Sequence, residues 1–420
     1  MQVCEKCRPY VKELTRKHRE EIKELRKEFE QRMGKLERRL AAYENAHTPY
    51  SHRIIKPRPR QSNGKRGRPK GLPGSTRPFP KPTRTVEKKF KRCPGCNGKL
   101  KPKGQEHKII EEIPDPQPIE VIELIANHYE CNNCGEVIAK PENWPEHGRF
   151  GLQSLAQCTV MKFEDRMTFT KLRDALKRQY DFEITPASLM NMTRSVGTKL
   201  EKEHEELVNK IRASPFVYAD ETSLRINGIN NWIWIFVAQD AVLCVIRKSR
   251  SKKVVREILG QDYNGIVVCD GWKSYAQFGF TLQRCWAHLL REAKDLKNEK
   301  LYSMFCALFA DAKNGLPRSQ AEQRLRRIIS RRYKNEKTMK FLQKVRNGFP
   351  SWFTFLEHNV EPTNNTAENA LREHVVIRKI IGGLRSEKGA RVHEVVMSCF
   401  ATWKTLGLNI FDTLLIRLKS

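Results

Sequence analysis

Phe216-Val217-Tyr218-Ala219-Asp220 and Ile266-Val267-Val268-Cys269-Asp270 decide how this chain folds. Each is a short apolar run that ends in an aspartate. Such runs read as strands, and a strand ending in a carboxylate brings charge to a sheet edge, where it can hold a divalent cation. After the first run, Asn227-Gly228-Ile229-Asn230 marks a turn, and residues 232–237 and 242–246 read as two more strands joined tightly around Asp240. Connections this short argue for antiparallel pairing. Residues 252–259 read as a helix leading through Gly260 into the second aspartate run; residues 282–285 read as a further strand and 286–295 as a helix.

Three antiparallel strands, a helix, then strand–helix units is the order of an α/β, ribonuclease-H-like mixed sheet. There Asp220 would lie on the first strand and Asp270 on the fourth, as neighbours able to chelate Mg²⁺ or Mn²⁺. A third carboxylate would complete two metal sites. Glu368, in Thr363-Asn364-Asn365-Thr366-Ala367-Glu368-Asn369, is one candidate, and Glu221, Glu292 and Glu361 compete with it. Glu221 follows Asp220 directly and should face the other way along a strand. Glu292 lies on an expected helix beside the sheet and is the serious rival. Glu368 would open a helix over 367–380, capped by Thr366 or Asn365, with Arg372, Arg378 and Lys379 available for phosphates. The glycines at 382, 383 and 389, with Arg385 and Arg391, read as a basic turn suited to backbone contact with a phosphate. His288 could orient a phosphate, assist a proton transfer, or be an ordinary hydrogen-bonded histidine. Cys285 and His288 have ligand-like spacing without a second pair beside them.

The balance of 79 Lys and Arg against 48 Asp and Glu leaves a formal net charge of +31. Nucleic acid is the most economical partner for that excess, since each neutralised phosphate releases condensed counterions. No stretch approaches the roughly 18 apolar residues of a membrane span, and Met-Gln-Val-Cys-Glu-Lys-Cys lacks a secretion signal's apolar core. A cytoplasmic setting is expected, with the twelve cysteines reduced or metal-bound.

Residues 9–45 read as a charged, coiled-coil-like helix whose apolar stripe needs a partner. Residues 53–92 form a basic, proline-rich linker; within it Arg66, Arg68 and Lys70 sit in Gly64-Lys65-Arg66-Gly67-Arg68-Pro69-Lys70-Gly71, which resembles an AT-hook entering the minor groove. In the 93–140 segment, Cys93-Pro94-Gly95-Cys96 and Cys131-Asn132-Asn133-Cys134 supply paired thiolates for one structural Zn²⁺. Strands over 119–125 and 126–130 would bring the pairs together, while Cys4 and Cys7 form a separate pair that either binds metal or does not. Residues 146–212 read as helical, fitting a DNA-binding module or a plain bundle; 213–298 hold the first part of the core, 299–360 a helical insertion and 361–415 the second part. Within the insertion, helices are expected over 304–310, 319–332 and 338–356.

Residues 217–403 strongly resemble the catalytic domain of transposases of the insertion sequence sixty-six family. Tyr218-Ala219-Asp220-Glu221-Thr222, Cys269-Asp270-Gly271-Trp272 with Tyr275, Cys285-Trp286-Ala287-His288 with Arg291, and Asn364-Asn365-Thr366-Ala367-Glu368-Asn369-Ala370-Leu371-Arg372 carry the likeness. The cysteine knuckles and the N-terminal helix extend it over nearly the whole chain. The resemblance implies a ribonuclease-H-like DDE transposase with Asp220, Asp270 and Glu368 as its Mg²⁺-binding triad. It also implies assembly as a homo-oligomer on terminal inverted repeats, with accessory proteins from the same element. A zinc-containing DNA-binding regulator, or an inactive domesticated transposase, is the competing function.

Overall fold

The computed structural model describes residues 81–419 except 112, 114, 143, 146, 147 and 272–279, with scattered positions between 13 and 30. The chain divides into one unit of residues 1–113 and another of residues 114–420. In the first unit the described positions between 13 and 30 are helical, and 81–111 are largely exposed, non-helical chain. The remainder of the expected coiled coil, most of the basic linker with Arg66, Arg68 and Lys70, and the pair Cys4 and Cys7 lie outside the described residues.

The second unit opens with an antiparallel hairpin, β1 (Asn127–Cys131) and β2 (Gly135–Ala139), closed by the Cys131–Cys134 turn. Residues 119–125, expected as a strand, are irregular. The partner of β1 follows the knuckle instead, where Gly135 takes φ 78° and lets the chain reverse.

Four helices follow: α1 (Leu152–Phe163), α2 (Phe169–Tyr180), α3 (Pro186–Lys199) and α4 (Glu201–Ala213). Thr168 and Thr185 cap α2 and α3, and Pro186 occupies the first turn of α3, where its missing N–H costs nothing. Cys158, Leu172, Leu189 and Met192 close a core among α1, α2 and α3.

A five-stranded sheet then forms from β3 (Phe216–Ile226), β4 (Ile229–Val237), β5 (Val242–Arg247), β6 (Ile266–Cys269) and β7 (Thr281–Arg284), in the order β5-β4-β3-β6-β7. The β3–β4 and β4–β5 pairs are antiparallel; β3–β6 and β6–β7 are parallel. Asn227 and Gly228 both have positive φ, 48° and 79°, the conformation of the tight hairpin turn whose twist matches its strands. Helix α5 (Lys252–Leu259) provides the crossover from β5 to β6, and α6 (Trp286–Asp295) leaves β7.

Alternate residues of these strands enter two different cores. Val217, Trp234, Phe236 and Leu243 pack with Leu207 and Ile211 of α4 and Val254 of α5. Tyr218, Ile233, Ile235 and Val268 pack with Leu371 and Val375 of α10 (Asn365–Ile381). Helix α10 therefore covers the face to which Tyr218 and Val268 point.

The insertion comprises α7 (Glu299–Lys313), α8 (Arg318–Ile329) and α9 (Glu336–Asn347), with its own core of Phe305, Leu308, Leu325 and Phe341 around Trp286 and Trp352. The helix expected through 356 stops at Asn347, because Gly348 and Pro350 break it into two short 3₁₀ turns. Helices α11 (Glu387–Thr405) and α12 (Ile410–Lys419) complete the unit.

Candidate active site

Strand register brings the two aspartates together. Phe216, Val217 and Tyr218 pair with Ile266, Val267 and Val268, so Asp220 and Asp270 each lie two residues beyond the last paired position. Both share the parity of Tyr218 and Val268, which places them on the α10 side. Burial pushes the Asp220 carboxyl well above the usual carboxylate range, and the negative charges of Glu221, Asp270 and Glu368 push it further; the Glu221 N–H, 2.9 Å from Oδ1, opposes them.

Glu368 enters from the first turn of α10. The Arg291 Nη2 donates to both of its carboxylate oxygens at 3.1 Å, and His288 Nδ1 stands 3.4 Å from Oε1. His288 and Arg291 are one turn apart on α6. Burial lowers the His288 pKa, while Glu368 and Asp270 oppose that shift, so the ring senses two of the three acids. Its Nδ1 is buried without a well-formed hydrogen bond. Cys285, His288 and Glu368 present ligand atoms within 4.8 Å of one another, a tight group to which Asp220 and Asp270 do not belong.

The segment before Glu368 is stitched to the sheet. Asn364 is fully buried; its Nδ2 donates to the Ala219 carbonyl at 2.8 Å, and its backbone N–H donates to Cys285 Sγ at 3.1 Å. Trp286 N–H donates to the Pro362 carbonyl at 3.0 Å. Neither Asn365 nor Thr366 is the cap of α10: Asn364 holds that position and spends its side chain on β3. Asn364 Oδ1 is buried without a protein hydrogen-bond partner.

The rival acids are placed differently, Glu292 through a lysine that itself stands against Gly271. Glu221 points to the opposite face and is buried against Arg250 at 2.7 Å. Glu292 pairs with Lys344 of the insertion at 2.7 Å. Glu361 is exposed, and its backbone N–H donates to the Tyr218 hydroxyl.

Of the expected phosphate-binding residues, Arg372, Lys379 and Arg385 are exposed. Arg378 folds inward instead: it donates to Thr222 Oγ1 and Ser223 Oγ at 3.2 Å and to the Ser223 carbonyl, and burial lowers its pKa. The glycine turn is not a free phosphate loop either. Leu384 N–H donates to the Arg225 carbonyl and its own carbonyl accepts from Asn227, while Gly389, Ala390 and Arg391 lie inside α11.

Sequence reasoning missed Lys344. A Cβ on Gly271 would lie 2.8 Å from its Cε and 3.2 Å from Nζ, so this insertion lysine stands against the residue after Asp270. A lysine on an expected helix more than 70 positions from Asp270 carries no sequence signal of that contact. Arg284 is the second omission, donating to the Gly271 carbonyl at 3.3 Å.

Each cysteine knuckle is shaped for thiolates by its own backbone. The Cys93 thiol is lowered by the N–H groups of Cys96 and Gly95, and the Cys131 thiol by those of Asn133 and Cys134. Asn97 N–H donates to the Cys93 carbonyl and Cys93 N–H to the Gly98 carbonyl, closing the first loop.

Residues 147–348 and 318–392 match the Transposase IS66 family, spanning the four-helix region, the sheet, the insertion and Glu368. The chain belongs to the IS66 transposase family. Residues 91–135 match the zinc-finger binding domain of transposase IS66, a stretch that contains all four knuckle cysteines. No significant match was found among curated proteins. Among the described residues, no helix is long and apolar enough to cross a membrane.

Proposed function

We propose that this chain is a DDE-type DNA transposase in which Asp220, Asp270 and Glu368 hold Mg²⁺ or Mn²⁺ at the edge of a ribonuclease-H-like sheet. The observation that carries the reading is the β3–β6 register, which sets Asp220 and Asp270 at corresponding positions on parallel neighbours; burial raises the Asp220 carboxyl, and the charges of Glu221, Asp270 and Glu368 raise it further. Like charges converging on one partly buried carboxyl call for a cation, and their hard oxygens suit magnesium. The strand order supports the same fold assignment: Asp270 follows β6, and Asp220 lies within the central strand β3, which continues past the expected end at Asp220 to Ile226.

When bound, the metal supplies an activated nucleophile and stabilises charge on the scissile phosphate. The chain's own residues hold the geometry. Arg291 and His288 restrain the Glu368 carboxylate, Asn364 ties its helix to β3, Arg284 holds the Gly271 carbonyl, and Lys344, paired with Glu292, packs against Gly271 next to Asp270. In the first step, a water oxygen forms a bond to phosphorus at the element end and the bond to the 3′-oxygen breaks, leaving a 3′-hydroxyl. That hydroxyl then attacks a target phosphodiester, joining element to target and releasing the target's 3′-oxygen. Cys93, Cys96, Cys131 and Cys134 are the ligands of one structural Zn²⁺, and the partners are the inverted-repeat ends, target DNA and further copies of the chain.

Asp270→Asn tests this with a labelled element end and Mg²⁺. Cleavage and joining should fall by ~10²-fold or more while end binding persists, and Glu292→Gln should keep both reactions. Normal cleavage by Asp270→Asn removes Asp270 from the centre. Wild-type protein that binds ends yet never cuts them is a DNA-binding regulator.

A further inference from the structure

Away from the acids, the core holds a polar trio that neither the DNA chemistry nor the zinc finger employs. Cys244 of β5, His374 of α10 and His393 of α11 are 1%, 3% and 4% exposed. Their ligand atoms lie within 4.8 Å of one another. Cys244 Sγ is 3.8 Å from His374 Nδ1, and that nitrogen is 3.0 Å from His393 Nε2. Around them lie Ile235, Ile246 and Val375, while Ser398 Oγ accepts from the Cys244 N–H at 2.8 Å.

Burying a thiol and two imidazoles has a cost unless each finds a partner. Here one nitrogen, His374 Nδ1, is approached from both sides, by the thiol and by the second imidazole. Around a tetrahedral ion with bonds of ~2.0 Å to nitrogen and ~2.3 Å to sulfur, neighbouring ligand atoms stand roughly 3.3–3.6 Å apart. The observed separations of 3.0 and 3.8 Å bracket that range.

We propose that Cys244, His374 and His393 form a second, buried metal site that takes zinc as a structural ion. On binding, the thiol proton leaves to solvent, and each imidazole keeps its proton on the nitrogen remote from the ion. The ion links strand β5 to α10 and α11. His374 lies six residues after Glu368 on one helix, so the site also steadies the helix that delivers the third acid. The proposal stands whether or not the transposition chemistry is correct.

The test uses the full chain carrying Cys93→Ser, Cys96→Ser, Cys131→Ser and Cys134→Ser, which removes the finger ligands. After dialysis, this parent should retain about one zinc per chain by mass spectrometry. Cobalt exchange should give a thiolate charge-transfer band, and stripping the metal should lower Tm. Adding Cys244→Ala, or separately His393→Gln, should abolish that band. Because those two positions are in the core, the parent's metal content and cobalt spectrum are read first and need neither variant. A folded parent that takes up no zinc and shows no cobalt band overturns the site, as does a band that survives Cys244→Ala.

Discussion

At the scale of single residues, neighbouring acids on β3 have opposite fates. Asp220 faces Asp270 and Glu368, whereas Glu221 is buried on the other side against Arg250, whose guanidinium lies 4.8 Å from the Trp232 ring. Removing one partner of such a pair strands a buried charge. Arg250→Leu should therefore destabilise the protein by roughly 3–5 kcal/mol in urea unfolding, and pairing it with Glu221→Leu should recover much of the loss. His204 gives a pH signature. Burial and the nearby Arg391 lower its pKa to about 4 from the ordinary 6.5. The unfolded chain therefore takes up a proton that the folded chain refuses between these values, so stability falls as pH drops from 6.5 towards 4. The loss is on the order of 3 kcal/mol. His204→Leu should flatten the slope of stability against pH in that window by about one proton; an unchanged slope would assign the uptake elsewhere. The outward turn of Glu221 followed from the two-residue period of a strand, but its arginine partner, 29 positions away, did not.

At the scale of elements, the strands and helices of the core were legible because their signals are local. The 252–259 and 286–295 helices end where periodicity ends, and the Asn-Gly turn announces its hairpin. Misreadings came where a tertiary contact reassigned a segment. The glycine turn after α10 is pinned to β3, with Gly383 at φ 139° and a Cβ there 2.7 Å from the Arg225 carbonyl. Gly383→Ala should cost roughly 1–3 kcal/mol and loosen α10; thermal melts measure the first, and faster amide exchange at Leu384 the second. A variant as stable as wild type would show that the turn shifts freely. The α10 cap was misjudged for a similar reason: Asn364 serves Ala219 rather than its own helix.

At the scale of the molecule, cores and modules carry separable functions. Leu325 is fully buried in the insertion core, apart from the sheet, so Leu325→Ala should cost roughly 2–5 kcal/mol. If Lys344 is delivered by that core, cleavage should suffer before end binding does, which a binding assay beside a cleavage assay will separate. Cys131→Ser should remove the finger's zinc and unfold β1 and β2 locally, since both strands are mostly exposed and have little apolar core of their own. The main melting transition should stay in place; a metal content equal to wild type would refute the four-cysteine assignment. By itself the sequence determined the strand runs that carry Asp220 and Asp270, the paired cysteines, the basic charge and the family likeness, because each is written in adjacent residues or short periods. Only the tertiary structure decided that Glu292 pairs with Lys344 while Glu368 is held by Arg291, that Lys344 stands against Gly271, and that Cys244 meets two histidines. Those outcomes depend on which distant side chains packing brings within a few ångströms, and no local pattern encodes such a distance.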